Sequence, residues 1–448
     1  MDHVRREISR RALIRAGLGA AALGAVRPDR LVAATDSCGQ EGIYPRPEGE
    51  GGWETAEPAD VGVDPARLGE AVRFHDEAAA TVSYGGALIV VRGGAIISES
   101  YVTGAEGGPQ PWTADTCNDM KSSTKSVFGT AVGVFLDEFR DTIDLDTPLV
   151  GTSRADSLVP QLWDQPITDE RKTRIKVKHA LSMTSGHETR EPWLAPSARR
   201  HFHGYSGPYQ MYEYCFGWWR FDDVPAHHEL KFEPGSSFNY SNYGLEQMAL
   251  AMRNRSGELV GPYVYDRVLG PIGMARGIRD NMFRDMPYSD GRELNFAAEP
   301  GWGVGGSTGC DAYGADKSES PYGLNTVVGS TLRCTARDFA RLAYLWLRKG
   351  RWSGRQLVPE AWLEVATRRF VRSDGTAPSP YGYTFWVMDR IEGVPSDLYM
   401  SRGHNLNHSF VIPSLDLVVV RQGNDNRRSE GGAPFMDRLI QGIVAATT

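Results

Sequence analysis

Cysteine is scarce in this 448-residue chain: Cys38, Cys117, Cys215, Cys310 and Cys334, with no Cys-x-x-Cys pair. That excludes a disulfide-dense scaffold and argues against a structural zinc site. In an oxidising compartment Cys310 and Cys334 could pair across the loop between them, an option the sequence leaves open. Long apolar runs are also missing, and no stretch approaches the ~20 residues that span a bilayer as a helix. Neither sign of charge dominates. The net charge is −7 with both signs interspersed, and no basic patch with interleaved aromatics stands out, which argues against a nucleic-acid partner. There are no internal repeats and no low-complexity tract.

What is present suffices for a large core: 41% of residues are hydrophobic, over a length that allows two or three domains. Eleven tryptophans, many near the segments singled out below, hint at an aromatic-lined site. At the N-terminus, Ser9-Arg10-Arg11-Ala12-Leu13-Ile14-Arg15 precedes a weakly apolar run, Ala16 to Val26, and then small residues Val32-Ala33-Ala34. This reads as a twin-arginine signal peptide over 1–34, hence a bacterial protein exported folded to the periplasm, cell surface or medium. The other reading is a basic amphipathic helix. Cys38 lacks the small apolar residues that precede a lipid-modified cysteine.

Residues 35–60, rich in Gly, Pro and Glu, read as a linker or arm. A helix is expected over Pro65–Ala79. The runs Gly86–Val91 and Ala95–Tyr101 around Arg92-Gly93-Gly94 give a hairpin signature. From Ser122 to about Leu332 the pattern is helical with long loops. Asp338–Lys349 is an amphipathic helix, and short β-rich runs follow at Tyr383–Met388, Leu398–Ser401, Ser409–Ile412 and Leu417–Arg421, with a turn at Pro413–Asp416. A helix over Pro434–Ala446 closes the chain. Strands, helices, then strands predict an α/β fold: an antiparallel sheet flanked by helices, with a mostly helical lobe inserted. The lobes divide as 61–120 with 326–448, and 121–325. A cleft is expected between them.

Ser122-Ser123-Thr124-Lys125 opens an apolar stretch (Val127, Phe128, Val132, Val134, Phe135). On a helix, Ser122 and Lys125 share one side a turn apart. A serine hydroxyl becomes a good nucleophile when a neighbouring base accepts its proton, and lysine does this only where burial or positive surroundings disfavour its ammonium form. By itself the spacing is a weak signal; an N-cap serine with an exposed lysine fits it equally. In Phe232–Gly244 lies Tyr240-Ser241-Asn242, after a Pro-Gly turn and before a helix expected over Leu245–Met252. A tyrosine beside a lysine in a dry cleft can shuttle protons, and Asn242 can bridge the lysine and a substrate carbonyl. Simple helix capping is the plain alternative.

These motifs, in this order, resemble the serine β-lactamase and penicillin-binding-protein superfamily. The likeness is to the class C-like branch with family VIII carboxylesterases and 6-aminohexanoate-dimer hydrolases. Ser122–Lys125 matches the family's first motif and Tyr240–Asn242 its second. Val177–Gly186 resembles the segment between them, and Gly329-Ser330-Thr331 leading into the 338–349 helix resembles the return to the α/β lobe. The resemblance covers roughly 55–448. It implies Ser122, Lys125 and Tyr240 as catalytic residues, and no metal or organic cofactor. The family's third motif, Lys-Thr-Gly or His-Thr-Gly, falls on Ser401-Arg402-Gly403, where only the glycine is kept. By resemblance the His404 amide would join that of Ser122 in an oxyanion hole, a large share of acyl-transfer catalysis.

The missing leading cation leans toward an ester or linear amide as the small-molecule substrate, and away from a β-lactam or D-alanyl-D-alanine peptide, although Arg402 or the His404 side chain could compensate. The aromatic-rich stretch His201–Phe221 would form a substrate-covering wall, or simply pack its lobe. Three rival readings remain. Gly305-Gly306-Ser307-Thr308-Gly309 fits a nucleophile elbow with Asp389 and His404 downstream, but its flanks are loop-like. His201, His203, His227 and His228 lack the helical spacing of a metal hydrolase. A non-catalytic ligand-binding or sensor protein of the same fold would not need all three catalytic side chains.

Overall fold

The computed structural model describes residues 43–81, 85–105, 111–187 apart from 165 and 168, 229–274, 328, 332–423 and 432–447. The expected signal segment, the 201–221 aromatic stretch, the 305–309 elbow, the four histidines of the metal reading, residues 329–331, and Cys38, Cys215 and Cys310 lie outside them. Among the described residues, no helix is long and apolar enough to cross a membrane.

One six-stranded antiparallel sheet organises the chain. Its strands are β1 (Gly86–Arg92), β2 (Ala95–Val102), β3 (Trp386–Val387), β4 (Tyr399–Gly403), β5 (Asn407–Ile412) and β6 (Leu417–Gly423), in the spatial order β2-β1-β6-β5-β4-β3. The N-terminal hairpin thus joins the C-terminal meander, with Gly86 paired to Gly423 and Arg92 to Leu417. Gly93 and Gly94, at φ 62° and 86°, supply the two left-handed residues that a tight hairpin turn requires.

Eight α-helices lie among the described residues: α1 (Pro65–Ala80), α2 (Thr124–Glu138), α3 (Val177–Leu181), α4 (Tyr243–Ser256), α5 (Val260–Val264), α6 (Ala336–Leu347), α7 (Glu360–Ala366) and α8 (Gly432–Ala445). Both faces of the sheet are covered. Ala87, Ile89, Val91, Val418 and Val420 face the core shared with α2 and α6, whereas Leu88, Val90, Leu417 and Val419 face α1 and α8. Burial on both sides explains why β1 and β6 read as continuous apolar runs.

Caps set the helix starts. Asp64 accepts from the amides of Ala66 and Arg67 ahead of α1, with Pro65 at the first helical position. Thr335 accepts from the Asp338 amide, so α6 begins at Ala336, two residues before the expected start. From Ile43 onward the Gly/Pro-rich arm packs on α6. Tyr344 Oη donates to the Ile43 carbonyl at 2.9 Å, and the buried Arg341 donates to the carbonyls of Pro45 and Arg46 and to Glu48.

The cysteines depart from the option left open by the sequence. Cys334 is a free, buried thiol on the two-residue strand Arg333–Cys334, packed against Gln422, and burial pushes it well above its ordinary value. Cys117 is disulfide-bonded instead.

Candidate active site

The approach to Ser122 is fixed by main-chain pairing. Asn118–Asp119 pairs with Arg333–Cys334, and the Met120 amide donates to the Leu332 carbonyl at 2.9 Å. Lys121 follows at φ 52°, a left-handed conformation costing a non-glycine residue roughly 1–2 kcal/mol. Asp119 holds it there. Its buried carboxylate accepts from the Lys121 amide at 2.6 Å and from Lys121 Nζ at 2.8 Å. The chain then makes a 3₁₀ turn, Lys121–Ser123, and enters α2. That helix is buried from Thr124 to Leu136, so it runs through the core rather than over the surface.

On this scaffold Lys125 Nζ donates to Ser122 Oγ at 3.0 Å. Lys125 is 1% exposed, whereas Ser122 remains partly accessible. Neither serine caps α2: the Ser123 hydroxyl donates to the Asn407 carbonyl at 2.6 Å, tying the turn to β5. The exposed lysine of the plain reading is therefore a buried one against the serine.

Tyr240 closes over the pair. Its ring centroid lies 5.0 Å from Lys125 Nζ. The ring stacks on Trp386 (centroids 5.9 Å apart, 22° between planes) and meets Tyr381 edge-on at 6.2 Å. Burial, with Tyr240 nearby, pushes the Tyr381 hydroxyl well above its ordinary value, so it stays a neutral phenol. The loop before Tyr240 is anchored where the Asn239 amide donates to the Met183 carbonyl at 2.8 Å. Asn242 stands at the N-cap of α4, but its side chain makes no capping bond.

Gly403 ends β4 against the nucleophile turn. A Cβ there would lie 2.2 Å from the Met120 carbonyl oxygen and 3.2 Å from Lys121 Cβ, so only glycine admits the approach. His404 follows, its side chain exposed, in a short turn (His404–Leu406) where Asn405 and Leu406 both have φ near +60°. Arg402 projects its guanidinium over the Trp386 ring at 5.7 Å. Ser401 is fully buried, and its hydroxyl pairs with that of Ser409 at 2.8 Å.

The 122, 240 and 403 regions thus lie together: a hydroxyl bonded to a buried amine, an aromatic ring over that amine, and a strand end packed on the residues just before the hydroxyl. Sequence reasoning missed Asp119, Tyr381, Trp386, Asn407 and Arg421 here. An acid just before Ser122 and an arginine inside the apolar run 417–421 were the available signals. Of the elbow's proposed partners, Asp389 ion-pairs with Arg369. Among the described residues, no group of three or more His, Cys, Asp or Glu side chains is placed to hold a metal.

Comparison with known proteins bears on the family and the fold. The model of the family described as Beta-lactamase matches residues 74–435. No curated protein matches the sequence significantly. Solved structures do match in fold. A 6-aminohexanoate-dimer hydrolase candidate from Bacillus anthracis is 18% identical, with TM-score 0.57 over 90% of this chain and 89% of that one. A family VIII carboxylesterase is 17% identical, with TM-score 0.56 over 88% and 98%. A penicillin-binding protein homologue from Caulobacter crescentus is 19% identical, with TM-score 0.55 over 86% and 99%. With a match over most of its length and an antiparallel sheet flanked by helices, the chain belongs to the Beta-lactamase family of serine hydrolases.

Proposed function

We propose that this protein is an exported serine hydrolase that cleaves an ester or a linear amide through an acyl-enzyme on Ser122. The observation that carries it is the 3.0 Å contact between Lys125 Nζ and Ser122 Oγ, made by a lysine that is 1% exposed. The Lys125 amine takes the Ser122 proton, directly or by way of Tyr240. Ser122 Oγ attacks the substrate carbonyl, whose oxygen collects negative charge and rests on the amides of Ser122 and His404. Tyr240 returns a proton to the leaving group, and water then hydrolyses the acyl-enzyme. Asn242 orients the substrate carbonyl. No cofactor enters any step.

The character of position 401 supports esters and linear amides over β-lactams and D-alanyl peptides. The residue there is a small hydroxyl, already bonded to Ser409, where the family's carboxylate-binding cation would stand. The disulfide at Cys117 supports export to an oxidising compartment, as the Ser9–Arg15 segment suggests.

Labelling with a fluorophosphonate, followed by intact mass, tests the reading: one adduct is expected, absent in Ser122→Ala. A label that persists in Ser122→Ala would overturn it. Parallel assays with a p-nitrophenyl ester, nitrocefin, a D-alanyl dipeptide and an aminohexanoate dimer should show turnover of the ester or the linear amide dimer, and slower or no turnover of the other two.

A further inference from the structure

We infer that Asn407 and Arg421 are positioning residues: together they clamp the His404–Leu406 turn and so hold the His404 amide against Ser122. The inference rests on the hydrolase reading above and goes beyond it.

The turn is built from unfavourable parts. Asn405 (φ 59°, ψ 26°) and Leu406 (φ 60°) are consecutive non-glycine residues in the left-handed region. Such a backbone persists only where its surroundings over-determine it, and it clusters at functional sites. Here the surroundings are two fully buried polar side chains. Asn407 Nδ2 donates to the His404 carbonyl at 2.8 Å. Arg421 NH1 donates to the Asn405 carbonyl at 2.7 Å and approaches the Leu406 carbonyl at 3.4 Å. All three carbonyls of the turn are therefore drawn toward the interior.

The clamp is tied to the nucleophile as well. Asn407 Oδ1 accepts from Asn118 Nδ2 at 2.9 Å and from the Gly423 amide at 3.0 Å, and the Asn407 carbonyl accepts from Ser123 Oγ at 2.6 Å. One side chain and its own carbonyl thus connect the turn after Gly403 to the residue after Ser122. Space for the guanidinium comes from a paired glycine couple: a Cβ at Gly423 would lie 2.6 Å from Arg421 Cζ, and one at Gly86 would lie 3.4 Å from its NH2. Neither residue touches the expected position of the substrate, so each acts through the backbone.

The test uses the full chain with Asn407→Asp, Arg421→Lys and Arg421→Met. Asn407→Asp is isosteric. It keeps the acceptor for Asn118 and Gly423 and turns the side-chain donor to His404 into a carboxylate oxygen that repels that carbonyl, which then retains only the Asn407 main-chain N–H. Thermal midpoints and fluorophosphonate active-site titration first define the folded, titratable fraction of each protein. Per titrated site, kcat for a p-nitrophenyl ester and the fluorophosphonate labelling rate should both fall, about tenfold or more, in Asn407→Asp and Arg421→Met, with KM within about twofold. Arg421→Lys, retaining one donor, should recover part of the loss. Should Arg421→Met not fold, Asn407→Asp carries the test. A purely structural role would lower the thermal midpoint and leave kcat per site unchanged. Wild-type rates per site in Asn407→Asp and Arg421→Lys would overturn the clamp alone; a wild-type protein that takes no label at Ser122 would overturn both it and the hydrolase reading.

Discussion

Gly403→Ala isolates the geometry on which the catalytic proposal depends. At φ −111° and ψ 154°, alanine suffers no backbone strain here, so the whole effect comes from its methyl group. That methyl would lie 2.2 Å from the Met120 carbonyl oxygen and 3.0 Å from that of Asn407, where Cβ contacts under 3.0 Å essentially never occur. Both obstacles are backbone, so they cannot rotate aside. The end of β4 must therefore retreat from the Lys121–Ser123 turn by at least about 0.8 Å. A misplacement of about 1 Å between reacting groups costs on the order of a hundredfold in rate, and overpacking of this kind costs about 1–3 kcal/mol of stability.

Gly133→Ala is the matched control. It lies eight residues beyond Lys125 on α2, about 12 Å along the helix. Its methyl would meet the Trp362 ring at 2.0 Å, in a core remote from Ser122. Both variants should unfold at lower temperature. In an ester-hydrolysis assay normalised to titrated sites, only Gly403→Ala should lose kcat, by ten- to a hundredfold. A folded Gly403→Ala protein with wild-type kcat would refute the claim that the 403–404 backbone sets the reaction geometry.

Ser122→Ala and Lys125→Ala should each abolish detectable ester hydrolysis while leaving the far-ultraviolet circular dichroism unchanged; full activity in either ends the proposed mechanism. Tyr240→Phe keeps the stack on Trp386 and removes only the hydroxyl, so kcat should fall by about 10²–10⁴ with little change in thermal midpoint. Burial holds the His187 imidazole down to about 3 and that of His179 to about 4, from an ordinary 6.5. Below pH 6.5 the unfolded chain takes up these protons and the folded one does not, so stability falls as pH drops from 6.5 toward 4, by up to about 1.4 kcal/mol per pH unit for each group. Thermal unfolding between pH 7 and 4.5 should show this decline, and His187→Gln should flatten it; an equal slope in the variant would refute the assignment.

Much of the sheet was legible because its strands are buried on both faces or carry clear turn chemistry. The Gly93-Gly94 hairpin and the Pro413–Asp416 turn fall where their residue types place them. Helix ends differ from the expected ones by one to four residues, and at α6 the Thr335 cap accounts for the earlier start. The three motifs could be read because each is local: serine and lysine one turn apart, tyrosine and asparagine on one loop, and a glycine at a strand end. The partners that hold those motifs could not be read. Asn407 and Arg421 lie on strands where a polar residue normally signals a solvent-facing position, and only the register of β4, β5 and β6 shows both to be buried. The 383–388 run puts Trp386 in a strand, but nothing local to it says that its ring stacks on Tyr240.

The same register ties the sheet to the site. Gly86 of the first strand pairs with Gly423 of the last, and the Gly423 amide donates to Asn407 Oδ1. Asn118, at the entrance to the nucleophile turn, donates to that same oxygen and to the Gly423 carbonyl. Asn118 and Gly423, more than 300 residues apart in sequence, thus meet on the Asn407 side chain. Contacts of such sequence separation form late, because the entropy of closing the intervening chain must be lost before they contribute. Without that sheet, Ser122 and Lys125 would still lie three residues apart, yet the 3₁₀ turn ahead of α2 would lose its tie to Asn407, and the turn after Gly403 would lose its anchors. The serine–lysine spacing is therefore local in sequence, whereas the two turns that flank it in space, at 121–123 and 404–406, are held by the completed fold.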